Sequence, residues 1–106
     1  MKVNVRRDVF QAIADPTRRG ILILLNEKEM TPNALAEKFD TTRQAVSKHV
    51  AILQECGLVR PKESGREIYY ILDTLKMKEV DTFMEPFRKM WDDKFSQLDT
   101  LLSNLK

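Results

Sequence analysis

Two dipeptides, Asp15-Pro16 and Thr31-Pro32, cut the first half of this chain into short helices. In each, an oxygen-bearing side chain that can cap a helix stands before a proline. The proline's fixed φ and missing N–H suit the first helical position. Apolar residues at helical spacing follow both starts: Ile21, Leu24 and Leu25 on one face, then Leu35 and Phe39 on the next. The stretch Asn26–Met30 separates the two. An earlier helix is expected over residues 4–14, with Val5, Val9, Ala12 and Ile13 at helical intervals. After a short turn at Asp40 and Thr41, a further helix runs from about Thr42 to Glu55, with Val46, Val50 and Leu53 facing inward. Gly57 stands just past its end, where a left-handed residue commonly stops a helix.

Beyond Gly57 the period changes. "LVRPKESGREIYYIL" reads as two short strands around a turn at Glu63–Arg66, with Ile68, Tyr70 and Leu72 alternating with Glu67, Tyr69 and Ile71. Pro61 marks an edge or the end of the first strand. A three-helix cluster followed by a basic hairpin is a winged helix-turn-helix, so the expected class is mainly α with a small β-hairpin wing (α+β).

Residues 75–105 form the last unit. Val80, Met84, Phe87, Trp91, Phe95, Leu98, Leu102 and Leu105 recur every three or four residues, a stripe about 45 Å long on one helix. Pro86 lies inside it and should kink or split it. A winged core has no place for so long a stripe. Part of it is therefore expected to pack on a second subunit, the alternative being a fold-back onto its own core. A chain of 106 residues suits one domain, here 1–106, and a core that small gains from burial by a partner.

The helix 42–55 carries an unusual outer face. Arg43, Gln44, Ser47 and Lys48 project from its N-terminal half. Two caps are open: Thr41, with Gln44 closing a capping box, or Thr42, which leaves Gln44 outward on the first turn. The second suits a helix that reads DNA. Arg can pair with a guanine edge and Gln with an adenine edge, while Lys and the helix N-terminus favour phosphate. Residues 41–66 hold five cations (Arg43, Lys48, Arg60, Lys62, Arg66) against Glu55 and Glu63, in a chain of net charge +2. That cluster is either a chance solvated face or an anion-binding surface.

Gly65 and Arg66 form the wing tip, suited to a groove or backbone contact or to a solvated turn. Arg18 and Arg19 sit in the first turn of their helix, where the macrodipole disfavours cations. A phosphate would resolve that conflict, and so would ion pairs with Asp8, Asp15 or Glu27. His49 is either a core-edge hydrogen-bonding residue or a DNA contact. Cys56 reads as a small buried hydrophobe, with a redox role as the alternative.

One histidine and one cysteine cannot complete a tetrahedral metal site, and no acid–base pair or phosphate loop suggests an enzyme. No cofactor is expected. The longest aliphatic run, Ile21–Leu25, is far too short for a bilayer, and no apolar segment follows Lys2 as a signal peptide would need. One cysteine allows no intrachain disulfide, so a cytoplasmic setting fits.

The stretches "FQAIADPTRRGILILL", "TPNALAEKF", "AVSKHVAILQECGLV" and "GREIYYIL" together resemble the ArsR/SmtB family of bacterial transcriptional repressors, over about residues 8–72. The resemblance implies a homodimer on operator DNA, built largely through its first and last helices. On this chain that places residues 1–14 and 75–105 at the interface, with Val5, Val9, Phe87, Trp91, Phe95, Leu98 and Leu102. It also implies Thr42, Arg43, Gln44, Ser47, Lys48 and His49 as recognition-helix positions, with Gly65 and Arg66 in a wing over residues 62–67. Arg18 joins these as a candidate DNA contact from the helix-start conflict above. Metal-sensing members carry a Cys pair near the recognition helix, or Asp, His and Glu ligands on the last helix. "ALAEKFDTT" has no Cys and the last helix has no His, so metal regulation does not carry over. The expected partners are operator DNA and a second copy, with a small-molecule or protein effector left open. The competing reading is a winged protein-interaction module that does not bind an operator.

Overall fold

The computed structural model describes residues 8–105. Four helices, α1 (Val9–Ile13), α2 (Pro16–Glu27), α3 (Pro32–Glu37) and α4 (Arg43–Glu55), precede a hairpin of β1 (Val59–Ser64) and β2 (Glu67–Leu72). α5 (Met77–Asn104) follows.

Local hydrogen bonds fix the helix starts. Asp15 Oδ2 accepts from the Arg18 amide at 3.0 Å, and Thr31 Oγ1 from the Ala34 amide at 3.1 Å. Thr42 Oγ1 accepts from the Ala45 amide at 3.1 Å, so Thr42 rather than Thr41 caps α4. Gln44 is therefore outside any capping box and stays exposed.

The first helix differs from expectation. Asp8 is extended, with φ −105° and ψ −179°, and forms a capping box with Gln11, so α1 starts at Val9; the stretch 4–7 of the expected helix lies outside the described residues. The reciprocal bonds are 2.9 Å and 3.0 Å. A cap set inside an apolar period is invisible to the period itself. Val9 is 2% exposed and belongs to the protomer's own core. Val5 lies outside the described residues.

α1 to α4 and the base of the hairpin enclose one core. α2 turns Ile21, Leu22 and Leu25 fully inward, and Leu24 packs at the margin. Leu35, Val46, Val50 and Leu53 meet them from α3 and α4. Phe39 closes the cluster over Gly20, where an added Cβ would lie 2.9 Å from its ring. That close approach explains a glycine in mid-helix, which otherwise costs about 1 kcal/mol relative to Ala.

α4 ends in a Schellman motif. The Gly57 amide donates to the Gln54 carbonyl at 3.0 Å and the Leu58 amide to the Leu53 carbonyl at 2.9 Å, with Gly57 at φ +78°. Leu53 and Leu58 are both fully buried, the apolar contact that completes the motif.

The hairpin is tighter than expected. Ser64 pairs with Glu67, which leaves Gly65 and Arg66 as a two-residue turn. Gly65 has φ +63° and Arg66 does not have a positive φ, as in a type II′ turn. Pro61 sits inside β1 opposite Tyr70, whose amide and carbonyl both bond to Met30 on the other side. Pro61 thus occupies a non-hydrogen-bonded pair, where its missing N–H costs nothing.

α5 is one continuous helix of 28 residues through Pro86, not split as one reading of that proline expected. Arg88 spans the interrupted turn. It donates to the Asp81 carbonyl at 2.9 Å and to the Glu85 carboxylate at 2.6 Å. Only the start of α5 leans on the domain, through Met77, Val80 and the edge-to-face pair Phe10–Phe83 at 5.1 Å. No residue of α5 is buried, and Trp91 and Phe95, stacked at 5.9 Å, are 53% and 58% exposed. The helix therefore leaves the domain instead of folding back. The radius of gyration, 19.0 Å, reflects this, against about 13 Å for a compact chain of this size.

Candidate nucleic-acid interface

α3, a short turn and α4 make the helix-turn-helix, and α4 presents two opposite faces. Val46, Val50 and Leu53 anchor it in the core, while Thr42, Arg43, Gln44, Ser47 and Lys48 are all exposed. Gln44, Ser47 and Lys48 stack on one stripe, being three and four residues apart. The first turn of α4 contains no acid, so nothing there competes for the partial positive charge of its N-terminus. Thr42 is spent on the cap, where its Oγ1 takes up the Ala45 amide.

The hairpin returns to this end of α4. Arg43 and Arg66 line a shared open cleft of about 290 Å³ with Thr31, Asn33, Glu67 and Ile68. Two cations 23 positions apart in sequence thus stand at one place. Gly65 has nothing within 4 Å of an added Cβ, so its contribution is conformational freedom at an open tip. Glu67 is held by the Tyr69 hydroxyl, which donates to it at 2.9 Å, and that bond pushes the Tyr69 phenol above its ordinary pKa. Of the five cations, Lys62 is paired with Glu29 at 3.3 Å, so the surface charge is weaker than the sequence count.

Arg18 and Arg19 spend donors on the end of α1, and the charge of Arg18 also acts on Asp15. Arg18 Nε donates to the Ala12 carbonyl at 2.7 Å and Nη2 to the Gln11 carbonyl at 3.2 Å. Arg19 Nη1 donates to the carbonyls of Ile13 and Ala14 at 2.8 Å and 3.1 Å. The carbonyls at the end of α1, where intrahelical donors run out, are their counterpart, a satisfaction that outweighs the adverse dipole of α2. Arg18, half-buried, thus commits Nε and Nη2 to the end of α1.

His49 lies half-buried at the edge of the core. Its Nδ1 lies 3.3 Å from Arg18 Nη1 and 3.8 Å from Asp15 Oδ2, and the side chain is 26% exposed. Cys56 is buried at the C-terminal end of α4. Among the described residues, no three His, Cys, Asp or Glu side chains group as a metal ion would need. No described helix is long and apolar enough to cross a membrane.

Asp15 gathers several of these interactions. Its bond from the Arg18 amide holds its carboxyl below the ordinary carboxylate pKa against the opposing effect of burial, and the charges of His49 and Arg18 add to the lowering. A folded-state pKa below the unfolded one means stabilisation that is present above about pH 3.9 and lost as pH falls through the lower folded value. Asp15→Ala is accordingly expected to cost about 1 kcal/mol of stability at pH 7. Urea unfolding of both proteins should show that gap closing at acid pH below the carboxylate range; a gap independent of pH would refute the cap assignment.

The chain matches the helix-turn-helix domain family over residues 13–62. It is 36% identical over 86 residues to the transcriptional repressor SdpR of Bacillus subtilis, covering 81% of this chain and 96% of that one. It superposes on an ArsR-like transcriptional regulator from Rhodococcus with a TM-score of 0.71 at 31% identity, over 92% of this chain and 90% of the other. It is also similar to the solution structure of a cadmium sensor of Mycobacterium tuberculosis. There the identity is 38% and the TM-score 0.57, over 66% of this chain and 73% of that one.

Proposed function

The chain belongs to the ArsR family of helix-turn-helix DNA-binding transcriptional regulators, and from that premise we propose that it is a homodimeric repressor that reads an inverted-repeat operator with α4 and the Gly65–Arg66 wing. The observation that carries this reading is the exposed face of α4, with Arg43, Gln44, Ser47 and Lys48 beside Arg66. Arg43 and Gln44 suit base edges, while Ser47, Lys48 and the α4 N-terminus suit phosphate. Arg66 enters the adjacent groove or grips backbone.

The dimer of this proposal forms through α5. Phe87, Trp91, Phe95, Leu98 and Leu102 lie on one exposed apolar stripe that a second copy would cover. Two α4 helices then enter successive major grooves about 34 Å apart. Regulation proceeds without a metal in this reading. Its support is that His49 faces Arg18 and Asp15, while Cys56 is buried about 10 Å further along α4. The protein works in the cytoplasm with its DNA, and no enzymatic activity is assigned to it.

Fluorescence anisotropy on the DNA upstream of its own gene, beside a scrambled duplex, tests the proposal. Arg43→Ala and Gln44→Ala are each expected to weaken operator binding by about 1–3 kcal/mol and to relax sequence preference. Equal losses on both duplexes would argue against base reading. No binding to either would leave a protein-interaction module.

A further inference from the structure

Arg18 does more than end α1. Its Nη1 is 3.3 Å from His49 Nδ1 while Nε and Nη2 hold the Ala12 and Gln11 carbonyls. A guanidinium only donates, so when the ring is neutral Nδ1 accepts and the N–H sits on Nε2. One half-buried side chain therefore ties the end of α1 to the middle of α4. α1 in turn carries α5 through Phe10 and Phe83. Arg19 offers an internal comparison, since it binds the next two carbonyls of α1 and is exposed.

Resting on the reading of α4 as the base-reading helix, we infer that Arg18 is a positioning residue for DNA recognition, acting through His49 to hold α4 at its reading angle. The physical ground is a difference in tolerance. Hydrogen bonds to base edges weaken steeply with angle and fail beyond about 3.5 Å. Contacts from flexible lysines to phosphate survive a small tilt. His49 sits about 9 Å along the helix from Arg43, so a slight rotation about it moves the reading end out of register. Losing the tie should therefore reduce discrimination and leave electrostatic attraction intact.

The probe is the duplex that the wild-type chain enriches most from a random-sequence library, compared with its scrambled version over a range of salt concentrations. His49→Leu and Arg18→Gln are each expected to lower the ratio of the two affinities about tenfold, with binding to the scrambled duplex and the salt slope unchanged. Combined, they should do little more than either alone, because they break one link. His49→Asn, whose amide oxygen stands near the place of Nδ1, should restore most of the ratio. Arg19→Gln removes comparable α1 bonds and should lower the melting temperature while sparing the ratio.

Losses shared by both duplexes with a shallower salt slope would make Arg18 and His49 phosphate contacts and overturn the inference. So would Arg19→Gln matching Arg18→Gln, which would reduce the role to holding α1. Enrichment of no sequence by the wild type would defeat the reading of α4 itself, and this inference with it. That outcome is distinct because it appears before any substitution is made.

Discussion

A chain carrying Trp91→Glu and Leu98→Glu is expected to sediment as a monomer and to lose operator affinity by about 10²–10⁴-fold. Both residues are half exposed on α5 and share its stripe with Phe87, Phe95 and Leu102. An apolar side chain that goes from water into a packed interface gains about 1.5–3 kcal/mol. A carboxylate in its place would be buried without a partner, and each substitution occurs twice in a symmetric pair. The DNA consequence follows from linkage. Two joined reading helices bind the second half-site at high effective concentration, whereas separated ones bind independently. Sedimentation gives the mass and anisotropy the affinity. The single tryptophan adds a direct signal, because its emission should shift to the blue on association of the wild type. A double variant that keeps a dimeric mass would remove α5 from the interface.

Leu53→Ala should cost about 2–5 kcal/mol of stability, a large share of the about 5–15 kcal/mol typical of a domain. Leu53 is fully buried, faces Leu58, and supplies the carbonyl that receives the Leu58 amide. The cavity would open under both α4 and the base of the hairpin, which between them place Arg43 and Arg66. Thermal unfolding at one fixed protein concentration checks this, since association itself shifts the midpoint. Ser47→Ala, on the outer face of the same helix, should stay within about 0.5 kcal/mol of the wild type. A Leu53→Ala loss as small as that of Ser47→Ala would contradict the assignment of α4's inner face.

Features whose physical cause lies within a few residues were legible in sequence. Asp15 and Thr31 cap their helices as expected, since a capping oxygen and its amide are three residues apart. Gly57 takes the left-handed conformation that stops α4. The change of period after it marks the hairpin, and the outward face of α4 is the complement of Val46, Val50 and Leu53. The stripe on α5 was equally plain, because a 3.6-residue period shows in the sequence whether or not anything covers it.

Distant partners were not legible. Nothing near Arg18 in sequence announces the ring of His49, 31 residues on, or says that α1 is short enough to lay its carbonyls over that guanidinium. Val9 fits the period of an interface helix as well as that of a core helix, and only the packing of α1 on α2 and α5 buries it in its own protomer. Arg43 and Arg66 share a cleft because a two-residue turn sets the hairpin's length. The chain by itself settles each element and the faces it carries, because propensity, capping and period are local. Which faces meet is left to the tertiary structure, because side chains at a given period have many geometrically acceptable partners and only simultaneous packing selects among them.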